Sequence, residues 1–173
     1  TFQLLDINPG KAGSINNTDF TIIDSSLYFS ANDGVNGIEL WKTNGTSDGT
    51  RLVSDINKGG TGSLPKDLYT FEDRIYFSAY TQENGYELWV SGGSEISTRK
   101  LLEMIDGPKG SEPLNFTFLN GELFFIAETI GTGRQLWRSD RVLNECEILE
   151  KTWYLDSDGD GFGDINNTLK SCS

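Results

Sequence analysis

Apolar and polar residues alternate in short runs along this chain, with a period of two. Leu27, Phe29 and Ala31 would face one side of an extended strand, while Tyr28 and Ser30 would face the other. This is the alternation of a half-buried β-strand, and no stretch of the sequence shows convincing helical periodicity. The pattern therefore predicts an all-β protein.

The same pattern returns twice, at a constant interval of about 48 residues. The run Leu27–Ala31 recurs as Ile75–Ala79 and again as Leu123–Ala127. Two further landmarks keep this spacing, a glycine and a tripeptide that ends in Leu-Trp: Gly37, Gly85 and Gly133; Glu39–Trp41, Glu87–Trp89 and Gln135–Trp137. Three landmarks at one period over three copies predict an internal structural repeat.

Each copy is predicted to contain four short strands joined by tight turns. In the first copy the strands are Phe2–Ile7, Asp19–Ile23, Leu27–Ala31 and Ile38–Thr43. The hairpin turn between the second and third strands lies at equivalent places in the three copies: Asp24–Ser26, Glu72–Asp73 and Asn120–Gly121. Asn-Gly is the strongest two-residue hairpin signal, so the strands should be antiparallel.

Four antiparallel strands within each such interval form a unit like one blade of a β-propeller. The sequence thus divides into three blade-type repeats at 1–48, 49–97 and 98–143, followed by a short module at 144–173. Propellers usually close with about 4–8 blades. We therefore expect these three repeats to belong to a larger propeller, or to pack as an open or oligomeric array. The repeated tryptophans are expected to pack between neighbouring blades.

Charge and composition exclude several classes of function. The chain has 14 basic and 26 acidic residues and a formal net charge of −12, which argues against binding to nucleic acid. It contains no histidine, which excludes Ser-His-Asp and Cys-His catalysis and histidine-ligated zinc. No apolar run approaches the length of a membrane helix, so membrane insertion is not expected.

Alternating aspartates near the C-terminus predict a calcium site. Asp156, Asp158 and Asp160 alternate, and a glycine follows directly, as in the opening of a calcium loop. The complete candidate ligand set uses only oxygen atoms: Asp156, Asp158, Asp160, the Phe162 carbonyl, Asp164 and Asn167. Oxygen donors favour Ca²⁺ over zinc, with Mg²⁺ as the weaker candidate and a solvated acidic linker as the alternative without metal. An EF-hand is not expected, because its twelfth position, normally Glu, is Asn167.

The repeat resembles the ELWxxDGT repeat of large bacterial surface and secreted proteins. The segments Leu5–Gly10, Leu27–Ala31 and Gly37–Thr46 carry the resemblance, with Asn44 in place of the motif's aspartate. The third copy ends at Arg138–Arg141 and lacks this ending, as the last copy of an array would. The family implies an extracellular or cell-surface location, in many cases after export by the type IX route, and no established enzymatic activity.

The acidic segment is similar to the thrombospondin type 3 class of calcium repeat, and in particular to the YLDxDGDGFGD…C repeat of bacterial surface proteins. Cys172 lies where that repeat carries its cysteine. The only other cysteine is Cys146, so the chain holds either one disulfide, which would suit an extracellular protein, or two free thiols.

These observations favour a non-enzymatic structural, adhesive or interaction segment of a larger surface protein, with a Ca²⁺-stabilised loop. Its partners would be other domains or chains of a surface assembly, with glycans as a further candidate. The alternatives are a carbohydrate-binding propeller and a non-catalytic part of a secreted hydrolase. Glu39 and Glu87 could form an acid pair for glycoside hydrolysis. A structural role is favoured, because they recur at a repeat position and the third copy has Gln135 there.

Overall fold

The protein is described by a computed structural model that covers residues 1–10, 12–15 and 19–139, together with the backbone of 151–155 and 164–171. Over these residues the chain is all-β: it contains no helix, and every pair of neighbouring strands is antiparallel. The strands form three sheets, which follow one another along the chain.

Each sheet is a meander in which strands adjacent in sequence are paired. The first sheet contains β1 (Phe20–Ile23), β2 (Ser26–Asn32), β3 (Ile38–Thr43) and β4 (Arg51–Ser54). The second contains β5 (Lys66–Phe71), β6 (Arg74–Thr81), β7 (Gly85–Ser91) and β8 (Arg99–Leu102). The third contains β9 (Leu114–Leu119), β10 (Glu122–Thr129), β11 (Gly133–Arg138), β12 (Lys151–Leu155) and β13 (Asp164–Ser171).

The three sheets share one strand register, offset from sheet to sheet by the interval seen in the sequence. In each sheet the second strand pairs its phenylalanine with the tryptophan of the third strand: Phe29 with Trp41, Phe77 with Trp89, and Phe125 with Trp137. Three of the strands predicted for the first copy are confirmed, and Ile38–Thr43 has the predicted bounds. The fold is therefore repeat-like in its local pairing.

The predicted opening strand, Phe2–Ile7, is wrong. Residues 2–7 form no strand, and Phe2 is 84% exposed. The fourth strand of the first sheet is β4 instead, which follows β3 in sequence and pairs with it. A strand needs a neighbour to satisfy its backbone hydrogen bonds, and among the described residues none lies beside 2–7.

The hydrophobic core lies between the sheets. Leu40 and Val53 of the first sheet pack against Phe77, Ala79 and the partly buried Trp89 of the second. The second and third sheets repeat this arrangement with the residues at the corresponding positions: Leu88, Leu101, Phe125, Ala127 and Trp137. The predicted packing between units is therefore seen for Leu40, Leu88, Trp89 and Trp137. Trp41 lies instead in a cluster with Ile7 and Leu52, and Leu136 is 45% exposed.

The three tryptophans occupy corresponding places with small differences in burial. Trp41 is 8% exposed and Trp137 is 3% exposed, whereas Trp89 is half-buried. All three indole nitrogens are buried without a hydrogen-bond partner in the described part of the chain. Their common role is thus apolar packing, between sheets for Trp89 and Trp137 and against Ile7 and Leu52 for Trp41. No helix in the described ranges is long and apolar enough to cross a bilayer.

Candidate functional site

The predicted calcium residues lie mostly outside the described residues. This holds for Asp156, Asp158, Asp160 and Phe162, and also for Cys146 and Cys172. Asp164 and Asn167 lie on β13, where the backbone alone is described. The Cα register pairs Leu155 at the end of β12 with Asp164 at the start of β13, so the two ends of segment 156–163 are adjacent. Elsewhere in the described residues no cluster of three or more candidate metal-binding side chains occurs.

A buried glutamate lies at the end of the first sheet from which the linker to the second sheet begins. Glu39 on β3 is fully buried. Its Oε1 accepts hydrogen bonds from the backbone N–H groups of Asn57 (3.1 Å) and Ser63 (2.9 Å), and the Ser63 hydroxyl donates to Oε2. We call this arrangement a glutamate clasp, because one carboxylate binds both ends of the linker between two sheets.

A second glutamate clasp lies between the second and third sheets. Glu87 on β7 is also fully buried and accepts hydrogen bonds from the backbone N–H groups of Met104 (3.3 Å) and Ile105 (3.4 Å). The Ser111 hydroxyl donates to its Oε2 at 2.5 Å. In both clasps the linker serine also binds the next sheet through its carbonyl. The Tyr80 N–H donates to the Ser63 carbonyl and the Glu128 N–H donates to the Ser111 carbonyl, each at 2.7 Å.

Paired glycines allow the linker backbone to cross close to the sheet beside each clasp. Gly37, with φ of +77°, would place a Cβ 2.5 Å from the backbone nitrogen of Gly62. Gly85, with φ of +65°, has the same relation to Gly110 at 2.6 Å. Neither approach leaves room for a side chain, and both φ values favour glycine. The glycines thus fix the linker where its N–H groups and serine meet the carboxylate.

Burial perturbs the titration of both carboxylates. Desolvation raises the pKa of Glu39 to about 7 from its usual 4.5, and the hydrogen bonds from Ser63 and the linker backbone oppose this only in part. Glu87 behaves in the same way, since burial raises its pKa to about 7 against the hydrogen bond from Ser111. Both clasps therefore change protonation state near neutral pH.

The clasp geometry differs from that of an acid pair for glycoside hydrolysis. Such a pair must flank a substrate that enters from solvent. Glu39 and Glu87 are fully buried, and each is enclosed by the linker that follows its own sheet. Their arrangement supports the structural role favoured from the sequence. The serines were overlooked in the sequence, although Gly62-Ser63 and Gly110-Ser111 repeat at the same spacing as the other landmarks.

The third sheet has the same strands but no clasp within the described residues. Gln135 takes the place of the glutamate, is half-buried, and donates from its side-chain nitrogen to the Thr132 carbonyl at 3.0 Å. A Cβ on Gly133 would meet no atom within 4 Å. Leu136 is 45% exposed, whereas Leu40 and Leu88 at the corresponding positions are 0% exposed.

Among the described residues, no element covers one face of the third sheet. The residues on it are Phe124, Ile126 and Leu136, which are half-buried or exposed. Their counterparts in the second sheet, Tyr76, Ser78 and Leu88, are buried, and Tyr76 and Leu88 pack in the cluster shared with the third sheet. An apolar patch that is covered in two units and open in the last one is a candidate interaction surface.

A polar groove lies at one margin of the interface between the first two sheets. It encloses roughly 610 Å³ and is lined by Asn57, Gln82, Asn84, Trp89 and Lys100, among others. Several of these groups bind each other: the Lys100 ammonium donates to Asn84 at 2.9 Å, and the Gln82 backbone N–H donates to Asn57 at 3.2 Å. The groove therefore has internal hydrogen bonds that a polar ligand would have to replace.

Comparison with protein-family models, with curated proteins and with solved structures finds no match to this chain.

Proposed function

We propose that this chain is a non-enzymatic structural, adhesive or interaction segment of a larger bacterial surface protein, located outside the cell, in which blade-type sheets precede a calcium-stabilised loop. The observation that carries the proposal is the use of both buried glutamates. Each of them ties its sheet to the linker that leads to the next sheet. The two glutamates that the sequence offers as an acid pair thus bind linkers between units.

The blade interpretation adds that the three sheets are propeller-type repeats with the interval seen in the sequence. It is supported by the common register, by the two equivalent clasps, and by the two inter-sheet cores built from corresponding residues. In this interpretation the open face of the third sheet receives a further unit of the surface assembly.

The calcium part of the proposal rests on the acidic segment after β12. The pairing of Leu155 with Asp164 holds the two ends of that segment together, as a metal loop requires. Four aspartates within nine residues repel one another unless a cation neutralises them. We assign one Ca²⁺ to Asp156, Asp158, Asp160, the Phe162 carbonyl, Asp164 and Asn167. Ca²⁺ takes about 6–8 oxygen ligands, so backbone carbonyls or water would complete the shell.

A calcium titration tests this assignment. Isothermal titration of chelator-stripped protein should show one site with a Kd of about 1 mM or below, the range of extracellular calcium modules. Asp158→Ala and Asp160→Ala should abolish binding. Asp48→Ala is the matched control, because Asp48 lies in a turn of the first sheet. Absence of calcium uptake by the wild type, or equal binding by the two variants, would contradict the assignment.

The non-enzymatic part is tested by a turnover screen with polysaccharides and peptides. We expect no turnover by the wild type. Any hydrolysis that is lost in Glu39→Gln or Glu87→Gln would contradict the proposal, because both variants keep the size and an acceptor oxygen of the clasp.

Glycan binding is a second candidate, favoured by the polar groove beside Trp89. Amide and ammonium groups together with an aromatic side chain are suited to orient a small polar ligand. A glycan array would test it, with Asn84→Ala to open the groove's hydrogen-bond network and Asn44→Ala, outside the groove, as the control. Equal binding by the wild type and the Asn84 variant would remove the groove from consideration.

A further inference from the structure

The N-terminal segment 4–14 has the same length and pattern as the two inter-sheet linkers. Each begins on a leucine or valine and ends on Gly-Ser after eleven residues: Leu4–Ser14, Val53–Ser63 and Leu101–Ser111. The segment thus corresponds to the end of a fourth strand followed by a linker. The sequence pattern that predicted a strand at 2–7 has the same origin, since Phe2–Leu5 corresponds to Arg51–Ser54 of β4.

The segment also contacts the first sheet as the linkers contact the sheets that follow them. Asn32 N–H donates to the Ser14 carbonyl at 2.8 Å, as Tyr80 N–H donates to Ser63. Ile7 packs on the cluster that contains Trp41, as Ile56 packs on the cluster that contains Trp89.

A third contact of the same kind lies at the turn between the second and third strands of the sheet. The side-chain oxygen of Asn8 lies against Gly34, while that of Asn57 accepts a hydrogen bond from Gln82, the residue that corresponds to Gly34 in the next repeat. Residues 7, 8 and 14 therefore contact the first sheet in the way that the two inter-sheet linkers contact the sheets that follow them.

By correspondence with the three donors that bind Glu39, the Asn8 N–H, the Ser14 N–H and the Ser14 hydroxyl would form the donor set of a further clasp. Ser14 is half-buried, whereas Ser63 and Ser111 are fully buried with their carboxylates. Phe2 and Leu5, at the place of a fourth strand, are exposed.

We infer that residues 2–10 and 12–14 form a docking site for one further antiparallel β-sheet of the same type. Residues 2–5 would add to the free edge of that sheet's third strand, and Asn8 and Ser14 would bind a glutamate placed two residues before its tryptophan. The partner is defined by the interfaces that this chain forms twice within itself, where a third-strand edge and a buried glutamate occur together. Strand addition of this kind supplies main-chain hydrogen bonds, and the carboxylate fixes the register. The inference rests on the blade interpretation of the proposed function.

An N-terminal extension of the full chain supplies this partner at the correct spacing. Thr50 corresponds to Thr1, so a copy of residues 15–49 fused directly before Thr1 would present copies of β1, β2 and β3 with their glutamate. Hydrogen exchange is the measurement. The amides of residues 3–5 should exchange at least about tenfold more slowly in the extended protein than in the original chain. Their exchange rates should approach those of the amides of residues 52–54.

Ser14→Ala provides the matched variant. In the extended protein it should speed exchange at residues 2–14, while in the original chain it should leave exchange unchanged. The same extension carrying Glu39→Ala in the copied strand should cancel the effect of Ser14→Ala, because the two residues act as one contact.

Unchanged exchange at residues 3–5 in the extended protein would overturn the inference, whether or not the added strands are themselves protected. Concentration-dependent self-association of the original chain, with protection of residues 3–5, would identify a second copy as the occupant and overturn the choice of partner. Neither result would alter the calcium titration or the turnover screen, so the proposed function is tested separately.

Discussion

The second and third sheets place corresponding residues in the same register, but the surroundings of these residues differ. Leu88 is 0% exposed and Leu136 is 45% exposed, although each lies between the glutamate or glutamine and the tryptophan of its strand. Glu87 is enclosed by a linker, whereas Gln135 donates to its own hairpin at Thr132. The strand pattern alone therefore does not determine burial.

The difference indicates that the burial of these strand residues depends on the sheet packed against them. A four-stranded meander has two faces, and both have to be covered before its apolar residues leave water. In the second sheet, Tyr76 and Leu88 are covered by the third sheet and Phe77 and Ala79 by the first. In the third sheet the first of these faces has no cover within the part of the chain that the structure describes.

The largest effect is expected from truncating the leucine at a covered position. Leu88→Ala should lower the free energy of unfolding by about 2–5 kcal/mol, because it leaves a cavity between the second and third sheets. Leu136→Ala is the matched variant and should change stability by less than about 0.5 kcal/mol, as exposed substitutions do. Urea unfolding gives both values. Similar losses in the two variants would mean that the open face is covered in solution.

The two glutamate clasps predict an unusual dependence of stability on pH. The folded carboxylates hold their protons up to about pH 7, whereas unfolded glutamates lose theirs near 4.5. Between these values the folded state binds more protons, so the free energy of unfolding falls as pH rises and levels off above about 7. A shift of this size corresponds to about 3 kcal/mol for each glutamate, which unfolding curves at pH 5 and pH 8 would measure.

Glutamine at the clasp separates this effect from that of the other acidic groups. Glu39→Gln has no proton to lose and keeps an oxygen that can accept from Asn57 and Ser63. The loss of stability between pH 5 and pH 8 should therefore be smaller by about 3 kcal/mol in this variant. Gln135→Glu is the control in the third sheet and should leave the pH dependence nearly unchanged. An equal pH dependence in wild type and Glu39→Gln would show that the Glu39 carboxylate is ionised in the folded protein throughout this range.

Local sequence patterns were sufficient for the strands that pair with their neighbours in sequence. Ile38–Thr43 and the turn at Asn120–Gly121 could be read directly, because alternation and turn chemistry act over a few residues. Phe2–Ile7 has an equally good strand pattern, but no described strand lies beside it. The pattern of a segment does not show whether a partner strand is present.

The clasps could be predicted only in part for the same reason. The repetition of Glu39 and Glu87 indicated a structural role, but their partners lie 17 to 24 residues further along the chain. Ser63 and Ser111 are ordinary loop residues in the sequence, and they become informative only when the linker crosses at Gly62 and Gly110. At position 135 the sequence was informative by itself, because Gln in place of Glu already marked the third unit as different.

Removing one clasp donor should have an intermediate effect. Ser63→Ala leaves one Glu39 oxygen without its hydroxyl donor in a fully buried site, which should cost about 1–3 kcal/mol. Ser14→Ala removes the corresponding serine from a half-buried position and should cost less than about 0.5 kcal/mol in the unextended chain. Thermal unfolding of the two variants side by side makes the comparison. A larger loss from Ser14→Ala would show that the N-terminal serine already binds a buried group.

The smallest effect is expected at the charged contact that joins the second sheet to the linker before the third. The Lys66 ammonium lies 3.7 Å from the centre of the Tyr86 ring and 3.0 Å from Oε2 of Glu112, and the charged side chains are each 35% exposed. Because water screens such pairs, Lys66→Met should cost no more than about 1 kcal/mol, and the loss should shrink in high salt.

Lys109→Met is the control for this contact, since Lys109 pairs with Glu128 at 2.9 Å with 60% of its side chain exposed. It should cost less than Lys66→Met, because it lacks the aromatic ring. The counterpart of Lys66 in the third sheet is Leu114, so the contact distinguishes the two units at this edge as well. If Lys66→Met costs several kcal/mol and salt does not reduce the loss, then the contacts of the Lys66 ammonium with Tyr86 and Glu112 are shielded from water and stronger than an exposed pair.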